Sequence, residues 1–233
     1  MTTSVQKQQE IIFAIKAAEL LKKCWQVKAS PDEVNWPDLI VTEETSTIGL
    51  EVREIYLDET IGGSPKKALE TQNRKQIANL AKDYYLQNKV PVKLNLLGCV
   101  GYPEELLQLL TDEVDKLSVW EQKRFEVGDR CVAFITRLPE EFNGYCRWIS
   151  VSDRVGLVAN IEQSRIESVI AKKAEKLEKY KKNISDVRLL IVSNRIYNSG
   201  KAQLMQNVQC HLFGFSSVYY ISFPDVAYQI PSE

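Results

Sequence analysis

Residues 187–193 constrain the fold more than any other part of the chain. Their sequence, Val-Arg-Leu-Leu-Ile-Val-Ser, is an almost continuous apolar run bounded by polar residues. A strand of this kind is typically buried on both faces, as the central strands of α/β sheets are. Amphipathic helical patterns alternate with the strand patterns along the chain. The sequence therefore predicts an α/β fold, with a mixed central β-sheet flanked by helices on both faces.

The remaining elements follow from hydrophobic periodicity and from turn residues. Strands are predicted at residues 38–42, 48–56, 90–97, 131–135, 146–151 and 217–222, and helices at 8–24, 65–87, 103–120 and 161–182. In the first helix, Ile11, Ile15 and Ala18 mark one line of the apolar face, and Ile12 lies on its neighbour. Because no Pro/Gly/Ser-rich linker separates the halves, residues 1–233 are predicted to form a single domain, with 125–156 as a β-hairpin insertion.

Composition narrows the functional classes. With 30 Lys and Arg against 31 Asp and Glu, the chain has no basic excess, so binding to nucleic acid requires a local patch. Five scattered cysteines and a single histidine, His211, offer little for a zinc site. No signal peptide precedes the first helix, and no apolar run approaches the ~20 residues of a membrane span. These features predict a cytoplasmic protein that does not contact membranes.

Two short segments carry the candidate chemistry. Pro37-Asp38 stands at the start of one predicted strand, and Glu51-Val52-Arg53 lies within the next. Side chains alternate along a strand, so Glu51 and Arg53 share a face. If the two strands pair as a hairpin, Asp38 and Glu51 converge. A divalent cation would relieve the repulsion between their carboxylates.

This pattern resembles the PD-(D/E)XK nuclease superfamily, whose signature is Pro-Asp, a spacer, and then acid-x-Lys on the next strand. The resemblance implies a restriction-endonuclease-like fold and metal-dependent hydrolysis of phosphodiester bonds in nucleic acid, with DNA favoured. It also implies a site in which Asp38, Glu51 and the backbone oxygen of Val52 bind Mg²⁺, with Mn²⁺ as a substitute. The chain departs from the signature at Arg53, which replaces the lysine. Arginine can orient a phosphate but does not accept a proton.

The same resemblance suggests further site residues. Some members of the superfamily carry the lysine on the following helix, where Lys67, or Lys66 beside it, is the candidate and Gln72 would line the site. The N-terminal helix of such proteins often adds a glutamate. Glu10 and Glu19 are the candidates, and Glu19 is assigned to the lining. For each of these side chains the alternative is a solvated residue on a helix surface.

Three interpretations stay open. The chain is a metal-dependent nuclease, or a nuclease-fold protein without catalysis that binds a partner, with Glu51 and Arg53 as an ion pair. Alternatively it is an unrelated α/β protein in which Pro37-Asp38 is a turn leading into a strand. The lysine-rich helix, the apolar strand and a late strand with tyrosines resemble, more diffusely, uncharacterised bacterial members of the superfamily. The lysines of 161–182 either contact phosphates or are solvated. A homodimer is compatible with the sequence.

Overall fold

The structure is a computed structural model that describes residues 4–31, 35–60, 63–98, 100–129, 131–151, 158–205 and 208–232. The strands are β1 (Trp25–Ala29), β2 (Leu39–Glu43), β3 (Ser46–Glu54), β4 (Val92–Leu97), β5 (Gln122–Val127), β6 (Cys131–Arg137), β7 (Ile149–Val151), β8 (Ala159–Ile161), β9 (Val187–Asn194), β10 (Ala202–Leu204), β11 (Val218–Phe223) and β12 (Val226–Ile230). The helices are α1 (Ser4–Leu21), α2 (Pro65–Gln87), α3 (Pro103–Glu113), α4 (Gln163–Ala174) and α5 (Leu177–Tyr180). Within these ranges, none of the helices combines the length and the apolar character that crossing a bilayer requires.

The chain forms two compact units. One consists of Met1–Ser64 and Leu157–Glu233, and the other of Pro65–Gly156. The first unit contains a six-stranded sheet in the order β1-β2-β3-β9-β11-β12. The strand β9 pairs in parallel with β3 and with β11, and the outer pairs are antiparallel. The apolar run at 187–193 therefore lies at the centre of a mixed sheet, as predicted.

Alternate side chains of β9 enter different hydrophobic cores. Leu190 and Val192 pack in a cluster with α1, whereas Leu189 and Ile191 pack in a cluster with α4 and α5. Because successive side chains of a strand point to opposite faces, the two clusters place helices on both faces of this sheet. The prediction of a mixed α/β protein is confirmed.

The buried face of α1 agrees with the predicted one in part, since Ala18 is buried and Ile11 packs against the same core, but it is shifted around the helix. Phe13, Ala14 and Ala17 are buried against the sheet, while Ile12 and Ile15 are 54% and 53% exposed. Alanines allow a helix backbone to approach a sheet closely, and this close approach fixes the buried face here. Because Ile12 and Ile15 are apolar, the sequence pattern placed part of the apolar face on a side of the helix that is exposed in the structure.

The second unit is larger than the hairpin predicted at 125–156. Its sheet has the order β5-β6-β4-β7, and α2 and α3 pack against one face of it. The strands β5 and β6 form a hairpin, but β6 and β7 also pair with β4. The alternating apolar residues of β4 therefore find their partner strands locally, and the inserted unit begins at Pro65. Residues 130 and 152–156 of the predicted insertion lie outside the described residues.

Gly49 of β3 fixes the approach of the Pro37-Asp38 segment. A Cβ atom at this position would lie 2.7 Å from Pro37 Cγ and 3.0 Å from Ile184 Cγ2. We expect Gly49→Ala to lower the free energy of unfolding by about 1–3 kcal/mol, because both neighbours are packed side chains. Urea denaturation measures this change. Gly101→Ala is the matched control, since its Cβ would meet nothing within 4 Å, and an equal loss in both variants would contradict the steric explanation.

Candidate active site

The register of the β2–β3 hairpin brings Asp38 and Glu51 together. Leu39 pairs with Leu50 in an antiparallel ladder, and the same register continued by one residue sets Asp38 opposite Glu51. Directly opposed residues have Cβ atoms about 5 Å apart. The Asp38 Oδ2 atom also accepts a hydrogen bond of 2.8 Å from the backbone N–H of Val52. The carboxylate of Asp38 is therefore held against the strand that carries Glu51.

Glu51 is buried on the face of the sheet that α4 and α5 cover. It pairs in register with Leu189, which lies in the core beneath those helices, and its exposed fraction is 1%. Its Oε1 atom accepts a hydrogen bond of 2.6 Å from the Nζ atom of Lys173, on α4. Among the described residues, its Oε2 atom has no hydrogen-bond partner. A buried carboxylate is costly unless it is paired, and Lys173 supplies the pairing charge.

Lys173 is the site residue that the sequence did not single out. It is one of six lysines in the predicted helix 161–182, and nothing local distinguishes its chemistry from the rest. One signal was present, because Lys173 follows Ile170 by three residues and precedes Leu177 by four. Both of those side chains are buried, so Lys173 borders the buried stripe of the helix.

Of the two glutamates considered on the first helix, the structure places Glu10 near the acids. Glu10 is 8% exposed, and Gln6 Nε2 donates a hydrogen bond of 3.1 Å to its Oε1 atom. Burial raises the pKa of Glu10, and the charge of Glu51 raises it further. Glu19, which was assigned to the lining, is instead exposed and paired with Lys16 at 2.9 Å. Nine residues correspond to two and a half helical turns, so Glu10 and Glu19 lie on opposite faces of α1.

The other predicted site residues lie elsewhere. Arg53 forms an ion pair with Glu59, in the loop that follows β3, so the ion pair expected between Glu51 and Arg53 does not form. Lys67 and Gln72 both belong to α2, in the second unit, where Lys67 is half-buried and Gln72 is exposed. The assignment of Lys67 and Gln72 to the site stays a prediction.

The charges at the site perturb each other. Withdrawal from water and the neighbouring charge of Glu51 raise the pKa of Asp38 to about 7. Burial, followed by the charges of Glu51 and Asp38, raises the pKa of Tyr180 on α5, so its hydroxyl stays protonated. Perturbed groups of this kind are concentrated at functional sites. Three acids, Glu10, Asp38 and Glu51, act on one another here, with the ammonium groups of Lys173 and Lys7 as counter-charges among the described residues.

The donor set fits a hard divalent cation with few protein ligands. The Oε2 atoms of Glu10 and Glu51 are buried and have no hydrogen-bond partner among the described residues. The described part of the chain contains no group of three or more His, Cys, Asp or Glu side chains placed to hold a metal ion. Mg²⁺ typically takes one or two carboxylates and keeps several waters, a requirement that Asp38 and Glu51 would meet if the ion bound here.

Comparison with family models, with curated proteins and with solved structures finds no match to this chain. The functional proposal therefore rests on the chemistry of the site, namely the paired acids Asp38 and Glu51 and the amine of Lys173.

The raised pKa of Asp38 predicts how stability depends on pH. Between the pKa of the unfolded chain, 3.8, and that of the folded chain, about 7, the folded state keeps a proton that the unfolded state releases. The free energy of unfolding therefore falls as pH rises through this window, by up to about 1.4 kcal/mol per pH unit. Asp38→Asn removes this dependence, so we expect the variant to gain stability relative to wild type from pH 4 to pH 7. Urea titrations in EDTA measure the difference, and a constant difference across the window would contradict the shift.

Proposed function

We propose that this chain is a metal-dependent nuclease of restriction-endonuclease-like fold, which hydrolyses phosphodiester bonds of nucleic acid. One observation carries the proposal. The ammonium of Lys173 lies 2.6 Å from Glu51, which faces Asp38 across the β2–β3 hairpin. Two carboxylates and a lysine are thereby brought together, although position 53 of the motif holds an arginine. The lysine required by the motif comes from α4 in this proposal.

The sheet supports the restriction-endonuclease-like assignment through two features. The two acids lie on neighbouring antiparallel strands, and the second of these strands pairs in parallel with the central strand β9. Helices cover both faces, with α1 on one side and α4 and α5 on the other. This arrangement places acids and lysine at the sheet while burying the strands that carry them.

Asp38 and Glu51 would hold Mg²⁺ or Mn²⁺ together with the backbone oxygen of Val52. The N–H of Val52 points to Asp38, and the C=O of a strand residue points to the same side as its N–H. When bound, the cation polarises a phosphoryl oxygen and lowers the pKa of a coordinated water.

Lys173 takes the position in the site that Arg53 leaves empty, because Arg53 pairs with Glu59 and Lys173 pairs with Glu51. The side chain of Lys173 is a compact ammonium on a flexible stem. In this proposal it orients the attacking water, whose proton passes to solvent, and it stabilises the charge that develops on the phosphate. Tyr180 keeps its hydroxyl protonated beside Glu51, so it can donate a hydrogen bond at the site.

A second candidate is a nuclease-fold protein without catalysis that binds nucleic acid or another partner. The ion pair of Glu51 with Lys173 favours it, because the lysine already balances the most deeply buried carboxylate. In that case a metal is not needed to stabilise the folded chain. The two candidates differ in whether the site binds a divalent cation and uses it.

Calorimetric titration with Mg²⁺ and Mn²⁺ separates the candidates. We expect wild type to bind both ions, Asp38→Ala/Glu51→Ala to bind neither, and the control Glu19→Ala, outside the site, to bind as wild type does. Cleavage of single- and double-stranded DNA and RNA is expected from wild type and from the control, and not from the double variant. Wild-type protein that binds neither ion would exclude the metal-dependent nuclease. Metal binding without cleavage of any substrate would favour the second candidate.

A further inference from the structure

Three exposed lysines form a stripe along α4 and α5. Lys172, Lys176 and Lys179, here called the lysine stripe, are separated by four and then three residues. Residues with these separations are neighbours on one face of a helix. The helix is interrupted between Ala174 and Leu177, but 3.2 Å hydrogen bonds from Lys176 N–H to Lys173 O and from Tyr180 N–H to Lys176 O continue the turns. The three side chains therefore share one surface.

The stripe borders the candidate active site. Lys176 follows Lys173 by three residues and precedes Tyr180 by four. Those two flanking residues are the ones that interact with Glu51. The middle lysine of the stripe thus lies one helical step from the side chains that face the acids, and its own side chain is exposed.

Positive charge exceeds negative charge on this surface. No ion pair involves the lysine stripe within the part of the chain that the structure describes. By helical periodicity Glu167 and Glu178 lie on the opposite side, whereas Glu175 follows Lys172 by three residues and lies on the same face as the stripe. The chain as a whole carries a net charge of −1, so the basic character of this surface is local. A local basic patch is what a nearly neutral chain needs to bind a polyanion.

We propose that the lysine stripe binds the phosphate backbone of a nucleic-acid strand beside the bond that is cleaved, an inference that rests on the proposed function. Seven residues of helix extend over about 10 Å. Successive phosphates of one strand advance about 3.4 Å along a duplex axis, so this length matches about three steps. Lysines act as flexible point charges that contact phosphates without reading the bases. The preferred substrate is therefore a polymer bound without sequence specificity.

Binding in EDTA tests the stripe separately from catalysis. The probes are fluorescein-labelled 20-mers of duplex DNA and duplex RNA, followed by anisotropy between about 50 and 200 mM salt. Lys172→Glu/Lys176→Glu/Lys179→Glu should weaken binding at least about tenfold and flatten the salt slope by about two to three, the loss of three phosphate contacts. The matched control is Lys75→Glu/Lys82→Glu/Lys89→Glu, which changes three exposed lysines of the second unit and the net charge equally.

The outcomes separate cleanly. A large loss of affinity in the stripe variant alone supports the proposal. The probe that wild type binds more tightly identifies the preferred backbone. Equal losses of affinity in both triple variants would show that only net charge matters and would overturn the proposal. Wild type that binds neither probe would also overturn it. Glu175→Lys is the second variant, and it should tighten binding without risk to folding. Wild type could cleave nucleic acid in a metal-dependent way and yet bind the probes no more tightly than the stripe variant does. That result would overturn the binding role of the lysine stripe but keep the proposed function.

Discussion

Substitution of Lys173 by methionine is expected to reduce metal-dependent cleavage at least about 100-fold, the usual range for loss of one donor that stabilises transition-state charge. Methionine keeps much of the length and packing of the side chain but removes the amine that contacts Glu51. The rate should fall in kcat rather than in KM, because the amine acts on the attacking water and on the developing charge. Steady-state kinetics at saturating Mg²⁺ measure both constants.

Two further variants show what the amine does. Lys173→Arg keeps the positive charge, so it should retain more activity than Lys173→Met if charge is what the side chain supplies. Arg53→Ala removes the residue that occupies the lysine position of the motif. Because Arg53 pairs with Glu59, we expect its loss to affect cleavage far less. Full activity of Lys173→Met together with an inactive Arg53→Ala would return the role to Arg53.

Lys173 is also expected to stabilise the folded state of the metal-free protein. Lys173→Met leaves Glu51 as a buried charge without its partner, which should lower the free energy of unfolding by about 3 kcal/mol at pH 8. The double variant Lys173→Met/Glu51→Gln removes both charges and should recover most of the loss. Urea denaturation in EDTA of wild type, both single variants and the double variant gives the coupling energy.

An exposed ion pair provides the comparison. Lys16 and Glu19 interact at 2.9 Å on the surface of α1, and the cycle Lys16→Met, Glu19→Gln should show a coupling of no more than about 1 kcal/mol. If the effects of Lys173→Met and Glu51→Gln simply add, the two side chains do not stabilise each other. The stability result stands whether or not the protein cleaves nucleic acid.

The paired acids were predictable because their geometry is local. Asp38 and Glu51 lie on successive strands, and an antiparallel hairpin of near neighbours leaves few registers that bury the apolar residues. The pattern at 187–193 likewise determined a buried central strand, since a run apolar on both faces has few alternatives. These predictions needed only strand periodicity and chain proximity.

The places of Lys173 and Glu10 in the site depend on packing, which sequence periodicity does not specify. Lys173 reaches Glu51 across a separation of 122 residues, and the helical pattern that places Lys173 beside the buried stripe does not say which side chain lies opposite it. For Glu10, the choice of face on α1 was decided by alanines that let the helix approach the sheet. The exposed side chains of Ile12 and Ile15 shifted the predicted apolar face toward the solvent side of the helix, where Glu19 lies.

The insertion of the second unit between β3 and α4 separates the components of the site in time. The acids leave the ribosome before Lys173, and at typical synthesis rates the 122 residues between Glu51 and Lys173 take roughly 6–25 s to translate. The strand β9, against which β3 pairs, follows later still. Until then the carboxylates have neither their counter-charge nor the sheet that buries them. The nascent chain therefore carries an incomplete site until α4 and β9 have been synthesised.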